Sequence, residues 1–450
     1  MSPFSSSAPL ALDQQRQGRF RIARAGFALA ILAAAALPVL AQNGLGGAPD
    51  GGPVIPTRES FDESLREAPW NLGGWRFQPW LGVRDASLVS NQLTTNGGGQ
   101  TGDNAESDFT IAVGAGLRAY YPKKKLLFTA HVLPEYVWWQ SNRDKRQLNG
   151  RYGAALFGHY NRLRFELFAR LVEQQAFFSR EVQQLTSTSH FENRAQLEVD
   201  LARGIAVYAY ASAQTYEGNQ DDFAVFRSLD HDDQAAGAGL RLFSPRGWSA
   251  RIGFEQNSSD FAAGARDLSN DGNQVEVELG YERRRFSGHL RLRFLELEPT
   301  ATSVLEPYSD VGGSFDLAYE ANERLELATY ASRSFGYSVD GEFSNFTSEL
   351  TGLRTRLKSK RGALGLFASF GQDEYERLGD AANRLDDVTE LGAQLDVRLR
   401  RLFVVAFTVL RRDYDSSDDL FDRDVTSFGV SVQLGELAQR LRFGSDSSPW

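Results

Sequence analysis

Three groups of residues in this chain have the types and spacing to do chemistry. Asp267-Leu268-Ser269-Asn270-Asp271-Gly272 is followed six residues later by Glu278. Oxygen donors at alternate positions, a turn-making Gly and a distal carboxylate match a calcium loop except at Ser269. The plainer reading is a polar loop whose Asp-Gly turn enters a strand. Asp230-His231-Asp232-Asp233, with Asp221 and Asp222 nearby, joins a general base to carboxylates able to orient it, the set that activates water. It copies no known motif, and the plainer reading is an exposed acidic loop carrying one His. Trp80, Tyr120, Tyr208 and Tyr210 offer ring faces on which a sugar can stack, although Tyr and Trp also favour strands for packing alone. His131, His159, His190 and His289 are dispersed without ligand spacing, and cysteine is absent. That absence excludes disulfides, thiolate metal sites and Cys nucleophiles. The plainer readings prevail, so the sequence predicts no catalytic residue, no metal site and no cofactor.

The elements that must position these residues show a period of two. Phe191, Asn193, Ala195, Leu197, Val199 and Leu201 share one face, with Glu192, Arg194, Gln196, Glu198 and Asp200 on the other. After Ala202-Arg203-Gly204 the alternation resumes: Ile205, Val207, Ala209, Ala211 and Ala213 against Tyr208, Tyr210, Ser212 and Gln214. Successive side chains leave a pleated backbone on opposite sides, so this is a hairpin with one apolar and one polar face. The same pattern runs from Trp75 to about residue 436 and gives about 18 strand candidates.

The connections alternate in length. Pro122-Lys123-Lys124, Asn161, Ala202-Arg203-Gly204, Ser244-Pro245-Arg246, Arg284-Arg285, Ala321-Asn322-Glu323, Ser359-Lys360 and Arg401 are short. Between them stand long polar stretches such as Asn91–Glu106, Glu217–Asp232, Gln372–Asp386 and Asp413–Arg423. A sandwich gives no reason for this alternation, whereas a membrane barrel requires it. The fold class is therefore all-β: a transmembrane antiparallel up-and-down β-barrel of about 18 strands, with short periplasmic turns and long extracellular loops.

A barrel of this size encloses an aqueous lumen, and the polar face of each strand must line it. The expected pore-lining residues are Arg164, Glu166 and Arg170, then Glu192, Arg194 and Glu198, then Tyr208, Tyr210 and Arg251. Glu276, Glu278, Arg291, Arg293, Asp396 and Arg398 complete the set. A two-residue turn at Arg284-Arg285 sets Glu278 opposite Arg291 and Glu276 opposite Arg293, both pairs pointing inward. Mixed signs argue against a strongly selective wall. The outer loops are acidic, through Asp221, Asp222, Asp230, Asp232 and Asp233, and through Asp413, Asp415, Asp418, Asp419 and Asp422. This suits solubility beside lipopolysaccharide, or an entrance that favours cations. Trp75, Trp80, Trp138, Trp139 and Trp248 lie near strand ends, where an interfacial girdle is expected.

The remaining segments set the address. Arg16, Arg19, Arg21 and Arg24 precede the apolar run Phe27–Leu40, and Val39-Leu40-Ala41 fits a cleavage site before Gln42. Residues 1–41 thus read as a signal peptide, 42–74 as a flexible Gly- and Pro-rich periplasmic segment, 75–437 as the barrel and 438–450 as a tail. Within the second, Arg58 to Glu67 has room for a helical turn or two. The whole chain carries 49 basic and 58 acidic residues, and loss of the signal peptide makes it more acidic. Such an exported acidic chain does not suit nucleic acid.

The signal peptide, the opening strand Trp75-Arg76-Phe77-Gln78-Pro79-Trp80-Leu81-Gly82-Val83 and the long–short hairpins resemble outer-membrane β-barrel porins. They look most like the β-barrel porin families linked with exopolysaccharide production. In the last strand Ser427-x-Gly429-x-x-Val432-x-Leu434 is similar to the assembly signal of such proteins, with aliphatics where aromatics are preferred. The resemblance implies location in the outer membrane, contact with lipid and lipopolysaccharide, and insertion by the barrel assembly machinery. It implies a channel for diffusion or export of polar solutes, with polysaccharide export components as candidate partners. A structural or ligand-binding barrel, closed by its loops or by residues 42–71, is the alternative. A hydrolase at the rim is a third reading.

Overall fold

The computed structural model describes residues 65–66, 68, 70–89, 108–143, 146–177, 185–218, 230–262, 267–338, 342–378, 383–400, 403–418 and 422–434. The signal-peptide region, Asp221, Asp222, Asp419 and the segment 438–450 lie outside them.

The first strand among the described residues is the three-residue β1 (Trp70–Leu72), folded back on β2 (Trp75–Val89). Leu72 pairs with Trp75, which leaves Gly73-Gly74 as the whole turn, at φ +58° and +88°. Two consecutive left-handed residues are what a two-residue hairpin asks for, and glycine meets that without a Cβ clash. There follow β3 (Asp108–Lys123), β4 (Leu126–Trp139), β5 (Gln147–Tyr160), β6 (Leu163–Phe177), β7 (Leu185–Ala202) and β8 (Ile205–Gly218). Next come β9 (His231–Phe243), β10 (Trp248–Phe261), β11 (Asn270–Arg283), β12 (Phe286–Pro299), β13 (Tyr308–Glu320) and β14 (Leu325–Tyr337). The last are β15 (Phe343–Ser359), β16 (Gly362–Arg377), β17 (Arg384–Arg400), β18 (Phe403–Ser416) and β19 (Arg423–Leu434).

Each strand from β2 onward pairs antiparallel with the one before it, and β19 returns to β2 with Leu434 opposite Leu81. The eighteen strands β2–β19 therefore close into a ring without edges. Closure satisfies the backbone hydrogen bonds of every strand inside the wall, which is what lets a sheet stand in hydrocarbon.

The two faces separate as the period of two predicts. Leu353 is 65 % exposed and Phe370 59 %, whereas the inward-facing Ser369 and Asp396 are 1 % and 3 % exposed. Leu366, Leu391, Leu395, Phe407 and Phe428 continue the bare outer band. A large apolar surface of this kind marks a membrane-facing wall. At the short-turn end Trp75 packs on Tyr121 at 5.0 Å and Phe128 at 5.6 Å, and Trp248 on Tyr281 at 5.9 Å. These rings form part of a girdle. Trp138 sits beside Phe109 on the outer face at the other end. The girdle expected of Trp80 and Trp139 does not form: they are 8 % and 4 % exposed and face inward. Register explains the difference. Trp80 pairs with Gly116 on the inner parity, and adjacent residues such as Trp138 and Trp139 must point to opposite faces.

Candidate functional site: the inner wall of the barrel

The inward side chains of β6, β7 and β9 form two ion-pair groups. Arg164 reaches Glu198 and Asp200, each at 2.6 Å, and Arg241 reaches Glu198 at 3.3 Å. Arg170 pairs with Glu192 at 2.7 Å, while Arg194 bridges Glu192 at 3.0 Å and Glu166 at 3.7 Å. All but Arg241, which reaches in from β9, lie on the even positions of β6 and β7, which cross-strand pairing brings level: Arg164 faces Glu198 and Arg170 faces Glu192. Opposite charges directly across a ladder are the stabilising arrangement.

A further network covers β10–β12. The Arg284-Arg285 turn sets Glu276 opposite Arg293 and Glu278 opposite Arg291. Glu276 accepts from Arg251 at 2.5 Å and Arg293 at 3.1 Å, with Arg291 at 3.9 Å. Glu278 is held by His289 at 2.7 Å and by Arg251. Sequence reasoning paired Glu278 with Arg291 alone, because a turn fixes register within one hairpin and says nothing of the neighbouring strand that brings Arg251.

The remaining expected lining residues lie on the same face. Tyr208 and Tyr210 stand side by side at 6.3 Å, and the Tyr210 hydroxyl donates to Glu255. They lie flat because the facing strand carries glycine: a Cβ at Gly237 would fall 2.6 Å from the Tyr210 ring. The Arg251 guanidinium lies 5.9 Å from the Tyr208 ring centre. Asp396 accepts from Gln394 at 2.8 Å and lies 4.0 Å from Arg356, and Arg398 shares its parity two residues on. Trp80 and Tyr120 also face inward, far apart in the strand order from Tyr208 and Tyr210, so the four rings make no continuous track.

Several lining residues lay beyond the sequence pattern. At the long-loop end His190, Tyr216, His231 and Phe261 stack in sequence at 4.2, 4.5 and 4.6 Å across four adjacent strands. Each is registered opposite the next. The turn between β7 and β8 gives the first of these registers, but the connection between β8 and β9 is long and fixes nothing. His231 is therefore not on an exposed loop. It is 4 % exposed, clamped between two rings, with Asp233 at 3.5 Å.

The calcium-like segment is also committed elsewhere. Asp267 accepts from the Ser269 backbone at 2.9 Å and from the Thr302 hydroxyl at 2.6 Å, tying two neighbouring loops together. The bonds from Ser269, and then Thr302, hold its carboxyl below the ordinary aspartate value. Asn270 donates to Leu268 and Tyr337, and Glu278 belongs to the wall. Among the described residues no group of three or more His, Asp or Glu is placed to hold a metal ion.

In the closing strand Ser427 and Gly429 lie on the inward parity, opposite Leu410 and Thr408. Val432 lies on the outward parity opposite Val405, and Leu434 pairs with Leu81 where the ring closes. Just before the first barrel strand, Leu65 and Ala68 pack on Tyr120, Leu127, Ala155 and Phe157, all on the inner wall.

No family model matches the chain, and no curated protein matches its sequence. Solved structures do. The chain superposes on Acinetobacter baumannii OccAB3 with a TM-score of 0.50 and 10 % identity, over 80 % of its own length and 98 % of that chain. A BenF-like porin from Pseudomonas fluorescens Pf-5 gives a TM-score of 0.51 at 10 % identity, with the same coverage. The chain thus has the porin fold: a closed, antiparallel, eighteen-strand β-barrel with an apolar outer band.

Proposed function

We propose that this protein is an outer-membrane channel through which small polar solutes diffuse. The observation that supports it most is the inner wall: its charged side chains pair with one another along β6–β12 while the outer wall is bare hydrocarbon. A polar lining inside an apolar shell suits water within and lipid without. The short turns then face the periplasm and the long loops the outside. Paired charges leave local dipoles and little net field, so filtering is steric and weakly electrostatic. No step of this mechanism makes or breaks a covalent bond. Neither structural relative is described as a polysaccharide exporter, so the fold adds nothing to that expectation.

The test is the reversal potential of the purified barrel in a planar bilayer under a salt gradient. A weak ion preference is expected. A reversal potential close to the ideal value for one ion would overturn the weakly selective wall.

A further inference from the structure

One of the apolar clusters on the inner wall includes residues that precede the barrel. Tyr120, Leu127, Ala155 and Phe157 point inward near the short-turn ends of β3, β4 and β5, and none is more than 5 % exposed. A water-filled lumen cannot keep apolar wall residues dry. Leu65 and Ala68 help to cover them, with Phe168 at the edge of the cluster. Ala68 is itself only 6 % exposed. The backbone is pinned there too, since Arg76 Nη1 donates to the Leu65 carbonyl at 3.0 Å. The chain therefore reaches its first barrel strand from inside the ring.

The sequence suits this seat. Leu65 and Arg66 are helical. Ser60-Phe61-Asp62-Glu63 reads as a capping box, and Phe61, Leu65 and Ala68 recur at helical spacing before Pro69. Asp62, Glu63, Arg66 and Glu67 occupy the intervening positions.

We propose that the segment ending at Ala68 is a resident restriction of the channel. Leu65 and Ala68 seat it on Tyr120, Leu127, Ala155 and Phe157 inside the periplasmic mouth, and it narrows the pore there. This rests on the channel reading above. The occupant is the chain's own N-terminal segment, because two of its residues already share the cluster.

Two measurements on the full-length protein test it. The chain has no cysteine, so A68C/A155C is the sole pair available to an oxidant. The expected result is an intramolecular cross-link in the folded barrel, read as a mobility shift on a non-reducing gel; a folded barrel that fails to cross-link overturns the seat. Separately, L65D puts a carboxylate against the seat and should raise unitary conductance roughly two-fold or more, because a wider mouth passes more ions. R76Q, which only unpins the Leu65 carbonyl, should move it the same way if L65D fails to fold. Equal steps in wild type and both variants would overturn the restriction and leave the channel standing. A cross-link with electrical silence in all of them would overturn the channel reading, and the restriction with it, while leaving the segment docked.

Discussion

Arg251 touches both carboxylates of the β10–β12 network, with side chains 6 % and 7 % exposed at its contact to Glu276. Removing it leaves Glu276 to Arg293 and Glu278 to His289, with one cation fewer to balance two carboxylates in a poorly hydrated place. R251M is expected to lower the unfolding free energy by about 3 kcal/mol. R251M/E276Q should recover part of that, as measured by urea unfolding from lipid vesicles; no recovery would mean that Arg251 acts by packing alone. Asp267 gives a different prediction. Its carboxyl is held below its ordinary value, so the bonds to Ser269 and Thr302 favour the folded loops fully above the ordinary value of 3.8. That contribution fades as pH falls through the lowered folded value. Protease cleavage within residues 267–303 should therefore rise at acid pH in wild type. In D267N the rise should be much smaller.

Strand by strand, the sequence is most legible inside the lipid band. Glu276 and Arg293 were readable as partners because a two-residue turn leaves no freedom of register. The long-loop ends were less so. β9 begins at His231, β16 runs on to Arg377 and β18 to Ser416, all past the ends that alternation marks. Above the lipid both faces of a strand meet water or loops, and the apolar period that reveals a strand disappears. His231 looked like a loop residue for that reason. Trp80 and Trp139 show the complementary error, since nearness to a strand end does not decide a face, whereas parity does. The two-faced wall makes its own prediction. Leu395 is 44 % exposed and its neighbour Gln394 faces in. L395R should destabilise the barrel by about 2–4 kcal/mol in vesicles, while Q394R, one residue away, should cost about 0.5 kcal/mol or less. Similar costs for both would contradict the assigned faces.

At the scale of the molecule, barrel class, strand number and turn alternation were legible, because closure and a lipid boundary impose them on every strand. The path of the N-terminal segment was not. A period of two reports which face a strand residue takes, but nothing in it says that Leu65 and Ala68 come back inside the ring to meet Phe157. Nor does it reveal pairs such as Arg170 with Glu192, which stand on strands joined by a long connection that leaves their register open. The central claim is that a water path runs through this barrel. Its most direct test is single-channel recording of the folded full-length protein in a planar bilayer, with L65D alongside. Discrete current steps are predicted, larger in L65D than in wild type. Silence from both proteins, with each shown to be folded and inserted, would contradict the claim.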